Sequence, residues 1–285
     1  MNHLFHIYSK GENVLFRDEE DYCYFNNKFA SCSYSFQMLP LAQTTLSTHF
    51  HALIETADAG LIGDYITKIK KSYALYYAFK YDYSIRPAFK ISFLEITGRE
   101  SILNELLYVL KNAVHHYIVA YPFEYNYSSV SYLFMDKLLP PYLQESVAAR
   151  TVPLGELSGR KRTKLIGKDS IPDNWLVLDE KYILPSSYIN SSKARAFWNN
   201  NVKSFIYDIN KNGSDARKEI ISDDILDLKT AGKTDTEICK IIDEYTRQCG
   251  HQSFHHLPGN ELHTIERILK QRAVAEQQIK RCLWL

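Results

Sequence analysis

The order of strand-like and helix-like segments over the first 120 residues is the feature that most constrains the fold. Residues 4–9, LFHIYS, alternate as a strand does, and the acidic residues from 18 onward begin a segment with the spacing of a helix. Two β-prone runs follow, at 35–46 and 48–56, and Pro40 indicates an edge or a bulge in the first of them. These features predict a strand, a helix and a hairpin.

A helix, a strand and another helix complete the pattern. Residues 60–82 place leucine, isoleucine and tyrosine at helical spacing, residues 87–96 alternate, and residues 101–120 form an amphipathic helical segment. The full order is strand, helix, strand, strand, helix, strand, helix. It predicts an α+β fold in which a ferredoxin-like antiparallel sheet has helices on one face.

The residue pattern of the sequence changes after residue 140. Two adjacent prolines mark a boundary, and the basic run GRKRTKLIGK at 159–168 indicates either a patch that contacts phosphates or a solvated, charged linker. From residue 223 onward the segments are amphipathic and helical. We therefore predict a first domain at 1–140, a linker or accessory region at 141–215, and a helical module at 216–285.

Composition narrows the setting in which the protein works. The formal net charge of +1 gives no global positive field, so any contact with nucleic acid has to come from local patches. The five cysteines are scattered without a CxxC motif, which argues against a disulfide framework and against a zinc ribbon. No stretch approaches the roughly 18 apolar residues of a membrane span. We expect a cytoplasmic protein with reduced thiols and no membrane partner.

The segment HFHALIE at residues 49–55 is the first candidate site. In a strand, side chains two positions apart project to the same side, so His49 and His51 stand next to each other. Neutral imidazole is a common metal ligand, and this spacing suits one divalent cation. A pair of half-buried, hydrogen-bonded histidines is the alternative, and the spacing alone does not exclude it.

The third predicted helix supplies groups that could complete such a site. Tyr108 and Asn112 are four residues apart and therefore lie on one helical face, where the amide oxygen of Asn112 could be a third ligand. A phenol with a pKa of about 10 is a weak nucleophile at neutral pH, and a cation that polarises a phosphodiester would assist its attack. Packing against the apolar side chains of the helix is the alternative role for this tyrosine.

Four blocks of the chain, at residues 5–25, 49–55, 86–93 and 106–134, together resemble the single-tyrosine HUH transposases. The likeness is to the branch of REP-associated tyrosine transposases. The resemblance implies a metal-dependent enzyme that cleaves and rejoins single-stranded DNA through a 5′-phosphotyrosine. It assigns the nucleophile to Tyr108 and the binding of Mg²⁺ or Mn²⁺ to His49, His51 and Asn112. It also makes the module at 216–285 a candidate to bind DNA.

The resemblance further implies single-stranded, hairpin-containing DNA as the partner and leaves open a homodimer. A single-stranded substrate is best bound by positive charges placed along the path of the DNA. We predict phosphate contacts from five basic residues: Lys70, Lys71, Lys80, Arg86 and Lys90. A solvated helix face is the alternative for each lysine. Two other functions remain open, a domesticated protein that binds repeat hairpins without strand transfer and an unrelated hydrolase with a His-x-His metal site.

Overall fold

Four antiparallel strands form the centre of the molecule. The computed structural model describes residues 2–211 and 232–285. The strands pair in the order β2-β3-β1-β4, so β1 lies between β3 and β4. Their bounds are β1 (His3–Lys10), β2 (Leu39–Thr45), β3 (Phe50–Thr56) and β4 (Lys90–Glu95). This order is that of a ferredoxin-like sheet, and the predicted α+β class is confirmed.

Two long helices, α1 (Glu19–Ser35) and α2 (Ile62–Tyr81), cover one face of this sheet. The Phe25 ring of α1 lies 4.7 Å from the Phe50 ring of β3, centroid to centroid. Helix α1 begins within the acidic segment, as predicted. The Asp18 side chain caps it by accepting a hydrogen bond from the Asp21 backbone N–H. In β2 the pairing register shifts between Pro40 and Ala42, which is the irregularity that the proline indicated.

The next helix, α3 (Arg99–Leu110), packs against the opposite face of the sheet and continues into the single turn α4 (Asn112–His115). The Thr44 hydroxyl of β2 donates a 2.8 Å hydrogen bond to the carbonyl of Val109 and so fixes the helix to the strand. Thr44 is the register partner of His51, so α3 lies over the face that carries this histidine. The sheet therefore has helices on both sides, and the prediction of helices on one face holds only for α1 and α2. The candidate site lies beneath α3.

The segment from 130 to 211 folds against the first domain. It contains helices and a second sheet of order β5-β6-β7. Asn27 of α1 bonds the backbone of Lys181 and Ile183, and Tyr188 donates to Gln43 at 2.8 Å. The elements are α5 (Val130–Leu133), α6 (Met135–Leu138), α7 (Pro141–Ala149), β5 (Thr151–Pro153), α8 (Gly159–Ile166), β6 (Leu176–Leu178), β7 (Tyr182–Ile183), α9 (Ser191–Ala196) and α10 (Val202–Asn210).

The basic run forms helix α8, and several of its charges are paired within the protein. Lys161 contacts Glu180, and Arg162 lies 2.7 Å from Asp173. The run is thus a helix with two charges paired at the protein surface, and its contact with phosphates stays a prediction. The domain boundaries at 140 and 215 stay predictions, and residues 216–231 lie outside the described part of the chain.

Three helices, α11 (Asp235–Gln248), α12 (Gly259–Gln271) and α13 (Glu276–Leu283), form a carboxy-terminal module with its own apolar core. Val14, from the loop between β1 and α1, inserts into that core. Arg17 is fully buried beside it, where it donates to the carbonyl of Cys282 at 2.9 Å and to Asp243 at 2.7 Å. Within the described residues, no helix is long and apolar enough to cross a membrane.

Arg17 should contribute strongly to the stability of the contact between the first domain and the carboxy-terminal module. Arg17→Met leaves the Asp243 carboxylate without its partner, and we expect the free energy of unfolding to fall by about 3 kcal/mol. Urea denaturation measures the loss. Arg160→Met, which removes an exposed arginine from α8, is the matched control and should change stability by less than about 0.5 kcal/mol. Equal effects of the two substitutions would contradict this role.

Candidate active site

Alternation along β1 and β3 sorts the polar residues onto one face of the sheet. Phe50 and Ala52 face α1 and α2, whereas His51 faces α3. In the register of the two strands, Tyr8 lies opposite His51 and His6 lies opposite Leu53. His6, Tyr8 and His51 therefore share the face beneath α3.

His51 belongs to a chain of three buried polar side chains. Its Nδ1 atom lies 2.8 Å from Nε2 of His6, and Nδ1 of His6 lies 2.7 Å from Oε1 of Glu105 on α3. The second contact has the distance of an ion pair but departs from the angles of an ideal hydrogen bond. Each of the three residues is at most 7% exposed. Sequence reasoning missed His6 and Glu105.

The Tyr108 ring lies directly beside His51. The two ring centroids are 5.1 Å apart and nearly perpendicular, and the tyrosine ring is also 6.0 Å from the ring of His6. On its other side lies the His115 ring, at 5.7 Å. The fold therefore places the phenol and the imidazole of His51 in one site. Glu105, Tyr108 and Asn112 form one stripe, because they are spaced by three and four residues along α3 and α4.

His49 lies at the edge of the same site, just before β3 begins. Its ring is 5.2 Å from that of His51 and 4.8 Å from that of His116, and its Nδ1 atom is 2.7 Å from the Thr48 hydroxyl. Burial, aided by the charge of His116 and partly offset by the Asn112 amide, lowers the pKa of His49 to about 3. The imidazole is therefore neutral at pH 7, which is the form that ligates metals.

Asn112 completes the set of predicted metal ligands. It is fully buried, yet neither atom of its amide makes a hydrogen bond of ordinary geometry, although the group lies close enough to His49 to affect its pKa. A buried amide without such bonds costs free energy unless something else binds it. No group of three His, Cys, Asp or Glu side chains within 2–211 and 232–285 is arranged to hold a metal, so a cation here would need this amide.

The three predicted ligands fit a divalent cation by their chemistry. Two imidazole nitrogens and one amide oxygen form a mixed donor set, and nitrogen donors suit Mn²⁺ better than the oxygen-preferring Mg²⁺. His49, His51 and Asn112 lie on two elements, β3 with its preceding turn and α4. The fit rests on the neutral state of His49 and on the buried amide.

Three of the predicted DNA-binding residues are not brought to this site. Lys70, Lys71 and Lys80 lie on α2, which covers the opposite face of the sheet. Lys80 is also bound within the protein, because its ammonium group donates to Asp18 at 2.7 Å and to Asp21 at 2.8 Å. That ion cluster joins α2 to the start of α1.

The other two basic residues lie near β4. Arg86 is exposed in the connection between α2 and β4, and Lys90 is the register partner of Lys10 on β1. By alternation from Tyr8, Lys10 and Lys90 both project to the face that carries His51. Lys90 is thus the predicted residue that shares the face of the site, and Lys10 is a basic residue that sequence reasoning did not select.

A cleft of about 690 Å³ opens beside His49. One wall comes from the first domain and includes Gly11, His116 and Tyr117, while the carboxy-terminal module contributes Lys233 and Lys280 to the other. Tyr117 has a left-handed backbone conformation, with φ of +53°, which residues other than glycine adopt at some cost in free energy. The cleft therefore joins the candidate site to the carboxy-terminal module.

Comparisons with known proteins give only a distant likeness. No family model matches the chain, and no curated protein matches it. A solved structure of a REP-associated tyrosine transposase bound to a REP hairpin is similar over 49% of this chain and 82% of that one, with 13% sequence identity and a TM-score of 0.40. At this level the likeness carries no argument, so function has to be argued from the site.

The ligand set can be tested in the absence of any substrate. We expect the wild-type protein to bind Mn²⁺ and His49→Ala, His51→Ala and Asn112→Ala each to raise the Kd at least about tenfold. Electron paramagnetic resonance of free Mn²⁺ gives the Kd directly. Lys71→Ala, on the far side of the sheet, is the control and should bind Mn²⁺ as the wild type does. Unchanged affinity in all three ligand variants would contradict the assignment.

Proposed function

We propose that the protein is a metal-dependent transposase that cleaves and rejoins single-stranded DNA through a 5′-phosphotyrosine. The observation that carries the proposal is the position of the Tyr108 ring, 5.1 Å from the His51 ring, with His49 and Asn112 beside them. A phenol next to two imidazoles and an amide supplies a nucleophile and a ligand set in one place. Apolar packing alone does not explain why polar side chains of β3, α3 and α4 meet in one buried place.

In the proposed reaction the Tyr108 oxygen attacks the phosphorus of a phosphodiester. A bond forms between that oxygen and phosphorus while the phenol loses its proton, the bond from phosphorus to the 3′ oxygen breaks, and the 3′ oxygen takes up a proton and leaves as a hydroxyl. Attack of a 3′ hydroxyl on the phosphotyrosine reverses the step and joins the strands. A divalent cation held by His49, His51 and Asn112 would offset the negative charge that develops on the phosphate. The rigid α3 holds the phenol in position for both attacks.

The charges on the face of the site support one path for the DNA. Lys10 and Lys90 are opposed across two strands, and like charges in that position destabilise a sheet unless an anion lies between them. Both side chains are exposed. Phosphates of a passing strand would offset the repulsion. The strand would then enter the cleft at Gly11, where exposed Tyr117 can stack a base and Lys233 and Lys280 can contact phosphates.

The decisive test is a covalent protein–DNA adduct. With Mn²⁺ and a pool of hairpin-bearing single strands, we expect a DNA-linked species that survives denaturing electrophoresis and is absent in Tyr108→Phe. Tyr207→Phe, at an exposed tyrosine outside the site, should form as much adduct as the wild type.

Two other results identify the alternative functions. Binding of the hairpins without any adduct would indicate a domesticated DNA-binding protein. Cleavage that persists in Tyr108→Phe would indicate a hydrolase that uses the His-x-His site without the tyrosine.

The proposed path predicts which lysines contact phosphates. Each phosphate contact to a single strand contributes roughly 0.7 to the slope of log affinity against log salt concentration. We expect the double substitution Lys10→Ala and Lys90→Ala to reduce that slope by about 1.4, as measured by fluorescence anisotropy at several salt concentrations. Lys70→Ala with Lys71→Ala, on the opposite face, is the matched control. A larger effect in the control would place the DNA over α2 instead.

A further inference from the structure

The cleft beside His49 contains groups that suit a nucleobase as well as phosphates. We propose that it binds one unpaired adenine of the DNA strand, with Tyr117 stacking on the base and Gln277 recognising its edge. The carboxy-terminal module then determines part of the sequence at which the protein cleaves. This inference rests on the proposed function and adds the identity of one base to it.

The cleft has the size and the position of a ligand site. Its volume of about 690 Å³ falls within the ~300–1,000 Å³ of sites that enclose small molecules. His49 and Tyr117 line the wall of the first domain, and Gln277 of α13 lines the wall of the carboxy-terminal module. Lys233 and Lys280, which are proposed to contact phosphates, line the same cleft. A base held here therefore lies between the candidate active site and α13.

Tyr117 occupies a backbone position that normally belongs to glycine. Its N–H donates to the carbonyl of Val114 at 2.9 Å, just after α4 ends. The next N–H, of Ile118, donates to the carbonyl of Ala113 at 2.9 Å. These two hydrogen bonds define a Schellman motif, whose left-handed residue is most often glycine. The end of the helix therefore does not explain a tyrosine with φ of +53°, whereas a role for its 43% exposed ring in the cleft does.

Helix α1 ends in the same motif and supplies a matched comparison. The N–H of Gln37 donates to the carbonyl of Tyr34 at 3.1 Å. The N–H of Met38 donates to the carbonyl of Ser33 at 2.8 Å. Gln37 has φ of +54°, is exposed and lies outside the cleft. It has the backbone cost of Tyr117 without the place in the cleft.

Helix α13 presents Gln277 from a fixed support. The Val14 N–H donates to the carbonyl of Arg281 at 2.9 Å, and the indole N–H of Trp284 donates to the carbonyl of Val14 at 3.0 Å. The Arg281 guanidinium also donates to both carboxylate oxygens of Asp235, at 2.9 and 3.0 Å. A side chain on a helix held in this way contacts a ligand more precisely than one on a loop.

The amide of Gln277 matches adenine by its hydrogen-bonding pattern. Its NH₂ group donates and its oxygen accepts, and adenine offers an acceptor at N7 next to a donor at N6. Guanine offers two acceptors, N7 and O6, on the same edge, so one of them would face the amide oxygen. Gln277 is exposed, which leaves both atoms of its amide accessible to a base.

Selection from randomised DNA tests the identity of the base. The probe is a pool of hairpins flanked by randomised single strands, bound by the full chain without added metal so that cleavage plays no part. We expect the wild type to enrich adenine at one position and Gln277→Ala to lose that enrichment alone. Gln277→Glu should move the preference to cytosine, because a carboxylate accepts from N4. Gln271→Ala, at the end of α12, is the control and should select as the wild type does.

A single substitution separates the ring of Tyr117 from its backbone cost. Tyr117→Gly removes both, so we expect a higher Tm but binding of the selected strand that is about 5- to 150-fold weaker, as for the loss of one stacked base. Tyr117→Phe keeps the ring and should bind within about threefold of the wild type. Gln37→Gly should also raise the Tm and leave DNA binding unchanged. Thermal unfolding and fluorescence anisotropy give the two quantities.

Several results would overturn the inference. These are a wild type without a preference for adenine, a preference that persists in Gln277→Ala, and a Tyr117→Gly variant that binds the selected strand as the wild type does. A Tyr117→Gly variant that loses stability together with affinity would assign the ring a structural role instead. Adenosine monophosphate that binds as tightly as the strand would make the cleft a site for a free nucleotide.

The same experiments distinguish this inference from the proposed function. If adenine is selected as expected but no DNA adduct forms with Mn²⁺, the base site stands and the transposase activity is wrong. If the adduct forms but no base is selected through Gln277, the activity stands and the base site is wrong.

Discussion

The packing of α3 across the histidine face of the sheet is the constraint on which the rest of the site depends. The hydrogen bond from the Thr44 hydroxyl to the Val109 carbonyl fixes where the helix lies along β2. Buried apolar side chains of α3, such as Leu106 and Leu110, pack the helix against the sheet. Once that register is set, the helical spacing of three and four residues brings Glu105, Tyr108 and Asn112 to the strand histidines. A shift of one turn would separate all of these contacts.

The same packing explains the chemistry of the site. Covering the histidine face removes water from it, which lowers the pKa of His49 and strengthens the contacts between Glu105, His6 and His51. It also leaves the amide of Asn112 buried without an ordinary hydrogen bond. A neutral His49 imidazole beside a buried amide without an ordinary hydrogen bond is what the proposed cation site requires. The adjacent phenol and cleft provide a nucleophile and space for a strand.

Much of the fold could be predicted from the sequence, because the periods of two and 3.6 residues are local signals. They gave the order of elements, the bulge near Pro40 and the shared side of His49 and His51. The partners His6 and Glu105 could not be predicted, since their contacts depend on the register between β1 and β3 and on the face chosen by α3. For the same reason the lysines of α2 looked like substrate contacts, although α2 covers the other face.

Mass spectrometry of the DNA-linked protein tests the central claim most directly. Trypsin should release residues 100–111, ESILNELLYVLK, in which Tyr108 is the single tyrosine. After incubation with Mn²⁺ and hairpin-bearing single strands, followed by nuclease and trypsin, the account predicts a nucleotide attached to this peptide through the tyrosine oxygen. A nucleotide attached to a peptide from α2, or to any tyrosine other than Tyr108, would contradict it.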